Sequence, residues 1–205
     1  MKKLLLTALT ISALAVIAEA QFVFIDDVRK VDFTNFTFSI EKKDVKIKDG
    51  LQDNACREKN SDGDPVGDIW NVSSEAIAYG DLDGDAKAEA IVPLVANTCG
   101  GNMLTNEAVL VYKVKDGKYI QFPVFDYFDE GCAAGTEDCN LARVPGVSVS
   151  YDNKTKALVV ANSFAADDDA ICCPSFYRET WFKWNGTQFI ELKKGKITRH
   201  EGNDQ

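Results

Sequence analysis

Two dipeptides, Asp116-Gly117 and Asn185-Gly186, each lie between runs rich in β-branched and aromatic residues. Val109, Val111 and, across Lys113, Val114 lead into the first, and Tyr119, Ile120 and Phe122 leave it; Phe176 to Trp184 and Gln188 to Leu192 flank the second. Alternation turns successive side chains to opposite faces of a strand, and Asp-Gly or Asn-Gly supplies the left-handed dihedrals of a tight hairpin. The pattern recurs at Val147, Val149 and Tyr151 before Asp152-Asn153, with Leu158 to Ala161 returning. Val45 and Ile47 alternate with Lys46 and Lys48 ahead of Asp49-Gly50, and Phe33, Phe36, Phe38 and Ile40 alternate in part. Past the first twenty residues no stretch sustains the 3.6-residue period of a helix. The chain therefore predicts a mainly β fold, a compact antiparallel domain, with residues 22 to 48 read as strands.

Two polar segments interrupt the strands, residues 52 to 68 and 129 to 143, and both carry cysteine. They predict long loops tied by disulfides. Ala90-Ile91-Val92-Pro93-Leu94-Val95 reads as a strand buried on both faces. Pro93 lacks a ladder donor, which predicts a sheet edge or a bulge at that point. Trp181, Phe182 and Trp184 read as core and cross-strand packing.

The start of the chain sets its compartment. Lys2 and Lys3 precede an apolar run from Leu4 to Ala18, and Ala18-Glu19-Ala20 offers small residues for cleavage before Gln21. The run is shorter than the roughly 20 residues that span a bilayer. The expectation is a signal peptide over residues 1 to 20, one secreted or periplasmic bacterial domain over 21 to 205, and no membrane insertion after cleavage. Cleavage removes Lys2, Lys3 and Glu19, moving the formal charge from −9 to −10. So acidic a chain repels nucleic acid and anionic membranes. It suits a cation or a basic protein.

Six cysteines, Cys56, Cys99, Cys132, Cys139, Cys172 and Cys173, form an even set in an oxidising compartment, where disulfides are expected. Six allow 15 pairings, among which sequence does not choose. The preferred reading joins Cys56 to Cys99 across the acidic segment and Cys132 to Cys139 within one loop. Cys172 and Cys173 are then left for a vicinal bridge or for exchange with that loop. A zinc site is disfavoured, since no paired C-x-x-C occurs and His200 is the only histidine. The lone histidine and the absence of G-x-S-x-G also argue against a Ser-His-Asp hydrolase.

The candidate site is Gly80-Asp81-Leu82-Asp83-Gly84-Asp85-Ala86-Lys87-Ala88-Glu89, running directly into the apolar strand. Alternate carboxylates can turn toward one centre, and hard cations such as Ca²⁺ take several oxygens. The competing reading is an acidic turn closed by Asp side chains on backbone amides. This stretch resembles the calcium loop of FG-GAP or VCBS-type repeats. The resemblance implies side-chain oxygens from Asp81, Asp83, Asp85 and Glu89, a backbone carbonyl from Lys87, and Ca²⁺ as a structural cofactor. Position six is Ala86, where glycine is usual, and position twelve is Val92, which removes the bidentate glutamate of an EF-hand. Together with Asn97-Thr98-Cys99-Gly100-Gly101, Cys172-Cys173-Pro174-Ser175 and the Trp184-Asn185-Gly186 hairpin, the loop also resembles a group of uncharacterised secreted bacterial proteins. That wider likeness implies a common fold and brings no activity.

Asp167-Asp168-Asp169 offers a second acidic run, for a cation or as a solvated turn. Asn35, Asn71, Asn153 and Asn185 lie in N-x-S/T sequons. The functional expectation is an extracytoplasmic binding or interaction domain with a structural Ca²⁺ loop, its partner a protein or a cell-surface glycan. An acidic inhibitor of a basic cell-wall-acting enzyme and a glycan-acting hydrolase are the alternatives.

Overall fold

Alternation becomes strand wherever one phase of it meets a core. The computed structural model describes residues 26–101, 103–128, 141–166, 169 and 174–200. The first sheet is built from β1 (Thr37–Ile40), β2 (Lys43–Lys48), β3 (Leu51–Gln52), β4 (Asp68–Asn71), β5 (Ala78–Gly80), β6 (Glu89–Thr98), β7 (Leu104–Lys115) and β8 (Lys118–Gln121). Its order is β1-β2-β3-β4-β6-β7-β8, with β5 also on β6. The second holds β9 (Ala142–Asp152), β10 (Ala157–Ala165), β11 (Phe176–Trp184), β12 (Phe189–Lys194) and β13 (Thr198–Arg199), in the order β12-β11-β10-β9 with β13 also on β11. Every pairing of named strands is antiparallel, as the hairpin signals require.

The β6–β7 ladder is the centre of the molecule because both of its phases are apolar. Ala90, Val92, Leu94, Leu110 and Tyr112 face Phe33, Phe38, Val45 and Ile47. Ile91, Val109 and Val111 face Leu158, Val160, Phe182 and Phe189 of the second sheet. Ala90, Ile91, Val92 and Leu94 have 0 % exposure, which is the double burial that the sequence predicts. Each large side chain so buried contributes about 1.5–3 kcal/mol. The first sheet curls so that Phe36 and Phe38 lie 5.4 and 6.0 Å from the Tyr112 ring.

Pro93 is accommodated differently from expectation, for β6 is neither an edge nor bulged there. It pairs with Val109 in unbroken register, and the β6–β7 irregularity falls at Ala96/Asn97. On its other side β5 pairs with residues 89–91 and β4 with 95–98, so Pro93 lies in a gap where one side of the strand has no ladder to break. Residues 28–35 also depart from the strand reading. They form two 3₁₀ turns, Val28–Lys30 and Phe33–Asn35, because Asp27 and Asp32 accept from the Arg29 and Thr34 amides. Residues 142 and 143 belong to β9 and not to the preceding loop.

The Asp116-Gly117 turn has φ of +53° and +72°, as a two-residue hairpin demands. Around Asn185-Gly186 the connection spans residues 185–188, and the Asn185 carboxamide oxygen accepts from the Thr187 and Gln188 amides. Phe182 and Trp184 pack in the core, whereas Trp181 lies on the opposite face with the Lys193 ammonium 3.7 Å from its ring centre. Cys56 and Cys99 form a disulfide that fastens the 53–67 segment to the end of β6. Cys132, Cys139, Cys172 and Cys173, residues 1 to 20 and the proposed cleavage point lie outside the described residues. No helix among the described residues is long and apolar enough to cross a membrane.

Candidate metal centre

Gly80 and Glu89 are the last register pair of the β5–β6 hairpin, so residues 81–88 form a loop fixed at both ends. Gly80 is required by its neighbour: a Cβ there would lie 2.1 Å from Cγ of Tyr151. That ring rests on the hairpin backbone, and its hydroxyl donates to the Asp81 carbonyl at 3.1 Å. Within the loop, Asp81 Oδ1 accepts from the Gly84 amide at 2.8 Å, Asp83 Oδ1 from Asp85 at 3.1 Å, and Asp85 Oδ1 from Lys87 at 2.8 Å. These bonds wind the chain tightly enough to need positive φ at Gly84 (+82°) and Ala86 (+67°). At Ala86, which carries a Cβ, the conformation costs about 1 kcal/mol.

Beneath the turn lies Glu89, only 1 % exposed. Its Oε2 accepts from the Leu82 and Asp83 amides at 2.7 and 3.3 Å. Burial pushes its carboxyl up to about 7; the Asp83 and Asp85 charges add to the rise, and the Leu82 amide opposes it. One oxygen each from Asp81, Asp83 and Glu89 come within 4.8 Å of one another. Asp85 stands outside that group, its carboxylate on the Lys87 amide.

Two cations that sequence spacing cannot reveal reach this loop. Lys113 Nζ, from β7, lies 2.7 Å from Asp83 Oδ2, and Lys156 Nζ, from the β9–β10 turn, lies 2.9 Å from Asp81 Oδ2. Both ammoniums are held above their ordinary pKa by these bonds, and the Lys156 bond foremost holds the Asp81 carboxyl below its own. The carboxylates are thus partly neutralised from within the fold, and the loop is joined to β7, β9 and the β9–β10 turn. A cleft of about 630 Å³ opens beside it, lined in part by Arg29, Tyr79, Asp81, Lys87 and Tyr151.

The other acidic runs are not gathered. Asp169 accepts from the Ala166 and Ser175 amides at 2.8 and 2.9 Å and from the Ser175 hydroxyl at 2.5 Å, which commits it to its own loop. Asp167 and Asp168 lie outside the described residues. Asn60-Ser61-Asp62-Gly63-Asp64, with Asp68 beyond, repeats the spacing of the 81–89 loop with asparagine in its first position. There Asn60 Oδ1 accepts from the Asp62 and Asp64 amides. Among the described carboxylates, histidines and cysteines, only Asp81, Asp83 and Glu89 converge.

A buried polar cluster was also not foreseen. Glu107 on β7 pairs with Arg143 on β9, and their side chains are only 6 % and 10 % exposed. Arg143 donates to the Asn162 carboxamide oxygen at 3.0 Å and lies 4.1 Å over the Phe128 ring. The Gly146 amide donates to the other Glu107 oxygen at 2.6 Å, holding the irregularity of β9 in place. The legible signal is a charge in the apolar phase of β7, since Glu107 shares its phase with Val109 and Val111. Lys113 shares it too. No family model, curated protein or solved structure matches the chain.

Proposed function

We propose that the chain is an extracytoplasmic binding domain whose 81–89 loop holds a structural Ca²⁺. The observation that carries this reading is the convergence of Asp81, Asp83 and Glu89 oxygens within 4.8 Å. The donors suit the ion: they are all oxygen and anionic. Each carboxylate has about four lone-pair sites, so the amide and ammonium bonds leave capacity for a metal. Asp81, Asp83, Asp85, Glu89 and the Lys87 carbonyl would hold the ion, as in the FG-GAP or VCBS-type loops that the stretch resembles. Bound Ca²⁺ cancels the repulsion among the carboxylates and fixes the entry to β6.

The Cys56–Cys99 bond supports an oxidising compartment. With residues 1 to 20 read as a cleaved signal peptide, the domain is periplasmic or secreted, and its remaining cysteines tie its long loops. Its partner is a protein or a cell-surface glycan. The hydrolase reading is disfavoured because the raised carboxyl, Glu89, is 1 % exposed and lies under the loop, out of reach of a substrate.

Calorimetric titration of the mature protein with Ca²⁺, paired with thermal unfolding in Ca²⁺ and in chelator, tests the proposal. Saturable binding with a rise in melting temperature is expected. Asp83→Ala is expected to lose most of that rise. Equal melting of wild type and Asp83→Ala in excess Ca²⁺ would overturn the reading.

A further inference from the structure

On the outward face of the second sheet, β10 carries the small residues Ala161 and Ser163 where a solvated strand ordinarily presents β-branched or aromatic ones. Ala161 on β10 stands between Ser148 and Glu179 on one rung, and Ser163 stands opposite Tyr177 on the next, with Thr198 beyond it. A groove of about 700 Å³ lies over them. Tyr177 and His200 wall it, their ring centres 4.8 Å apart and their planes inclined by 31°. The wall is held in place by the β11–β13 pairing and by the His200 amide, which donates to the Ser175 carbonyl at 2.8 Å.

Three of the polar groups lining this groove are not used by the fold. Among the described residues, the half-buried Ser163 hydroxyl, Tyr177 phenol and Glu179 carboxylate make no hydrogen bond or ion pair with protein. Convergent unused donors and acceptors in a concave site of this size mark a ligand surface. Their kinds narrow the ligand: hydroxyls and a phenol that both give and accept and a carboxylate that accepts, with the Arg199 guanidinium and the stacked Tyr177–His200 rings beside them. The floor strand β10 is paired on both sides, so an added peptide strand finds no ladder there.

We infer that this groove binds an oligosaccharide, whose hydroxyls meet Ser163, Tyr177 and Glu179 beside the stacked Tyr177–His200 pair. The inference rests on the reading of the chain as a binding domain and adds the surface and the ligand class. It is independent of the calcium loop.

The test is a printed array of neutral and acidic oligosaccharides, probed with the mature protein in Ca²⁺ and in chelator. The strongest saccharide is then titrated into wild type, Tyr177→Ala and Ser163→Leu, the last filling the groove from its floor. Binding that weakens at least about tenfold in both variants, with their melting temperatures unchanged, is the expected result. Where Tyr177→Ala melts early, Ser163→Leu carries the test alone. Saccharide binding that both variants retain would overturn the groove and leave the binding-domain reading standing. A blank array would overturn the inference while leaving the calcium reading to its own titration. Capture of peptides on a matched peptide array with no saccharide bound would overturn the ligand class.

Discussion

Replacing Glu89 with glutamine isolates a buried charge. The carboxyl sits at about 7 against an ordinary 4.5 and is 1 % exposed. At about 1.4 kcal/mol per tenfold in proton affinity, folding disfavours the ionised form by about 3 kcal/mol. The unfolded chain releases this proton near the ordinary value, whereas the folded protein keeps it to about 7. Folding therefore takes up a proton between those limits. The contribution of Glu89 to stability is full below pH 4.5 and is lost as pH rises through about 7. Glu89→Gln keeps an oxygen for the Leu82 amide and carries no charge. In chelator, the stability of wild type minus that of the variant should fall by about 3 kcal/mol between pH 4.5 and 8. At about 2–4 °C per kcal/mol for a domain of this size, that corresponds to about 6–12 °C in melting temperature. Bound Ca²⁺ reverses the preference by favouring the carboxylate, so saturating Ca²⁺ should close the gap for wild type and leave Glu89→Gln unmoved. Urea unfolding at half-unit steps of pH, with and without Ca²⁺, measures both. A wild-type-minus-variant difference that stays flat from pH 4.5 to 8 in chelator would refute the reasoning.

Gly80→Ala puts a methyl group 2.1 Å from the Tyr151 ring, and the cost of forcing that ring off the hairpin is about 1–3 kcal/mol or more. Adding Tyr151→Leu to Gly80→Ala should recover part of the loss, and unfolding of the two single variants and the double variant checks it: no recovery would mean that the ring is not the obstacle. Arg143→Met leaves Glu107 buried without its cation and should cost about 3–5 kcal/mol, measured by urea unfolding. Arg143→Met with Glu107→Gln should regain a large share, because the stranded charge is gone; a double variant as unstable as the single one would contradict that account.

Much of the architecture is local and therefore legible. The apolar runs on either side of Asp116-Gly117 and the turn itself specify a hairpin whatever surrounds them, because dihedral preference and side-chain direction are properties of a few neighbouring residues. The apolar run at Ala90 likewise announced a strand with no solvent face. Pro93 misled for a reason that lies outside any short window. Its missing donor marks an absent ladder, and only the placement of β4 and β5 along β6 shows a gap inside a sheet in place of an edge.

The candidate site divides in the same way. Carboxylate spacing by itself determined that Asp81, Asp83 and Glu89 belong to one loop, because alternate residues of a tight turn and the first residue of the next strand are close along the chain. Tertiary structure alone decided that Glu89 loses its water, that Lys113 and Lys156 arrive from other strands and turns, and that Tyr151 holds Gly80. Those contacts span 30 to 75 residues of sequence in the lysine pairs. It likewise decided that Ser163, Tyr177 and Glu179 share a groove. Sequence carries the chemistry of each side chain, but desolvation and charge pairing depend on what packs nearby, and that is set by how the two sheets meet.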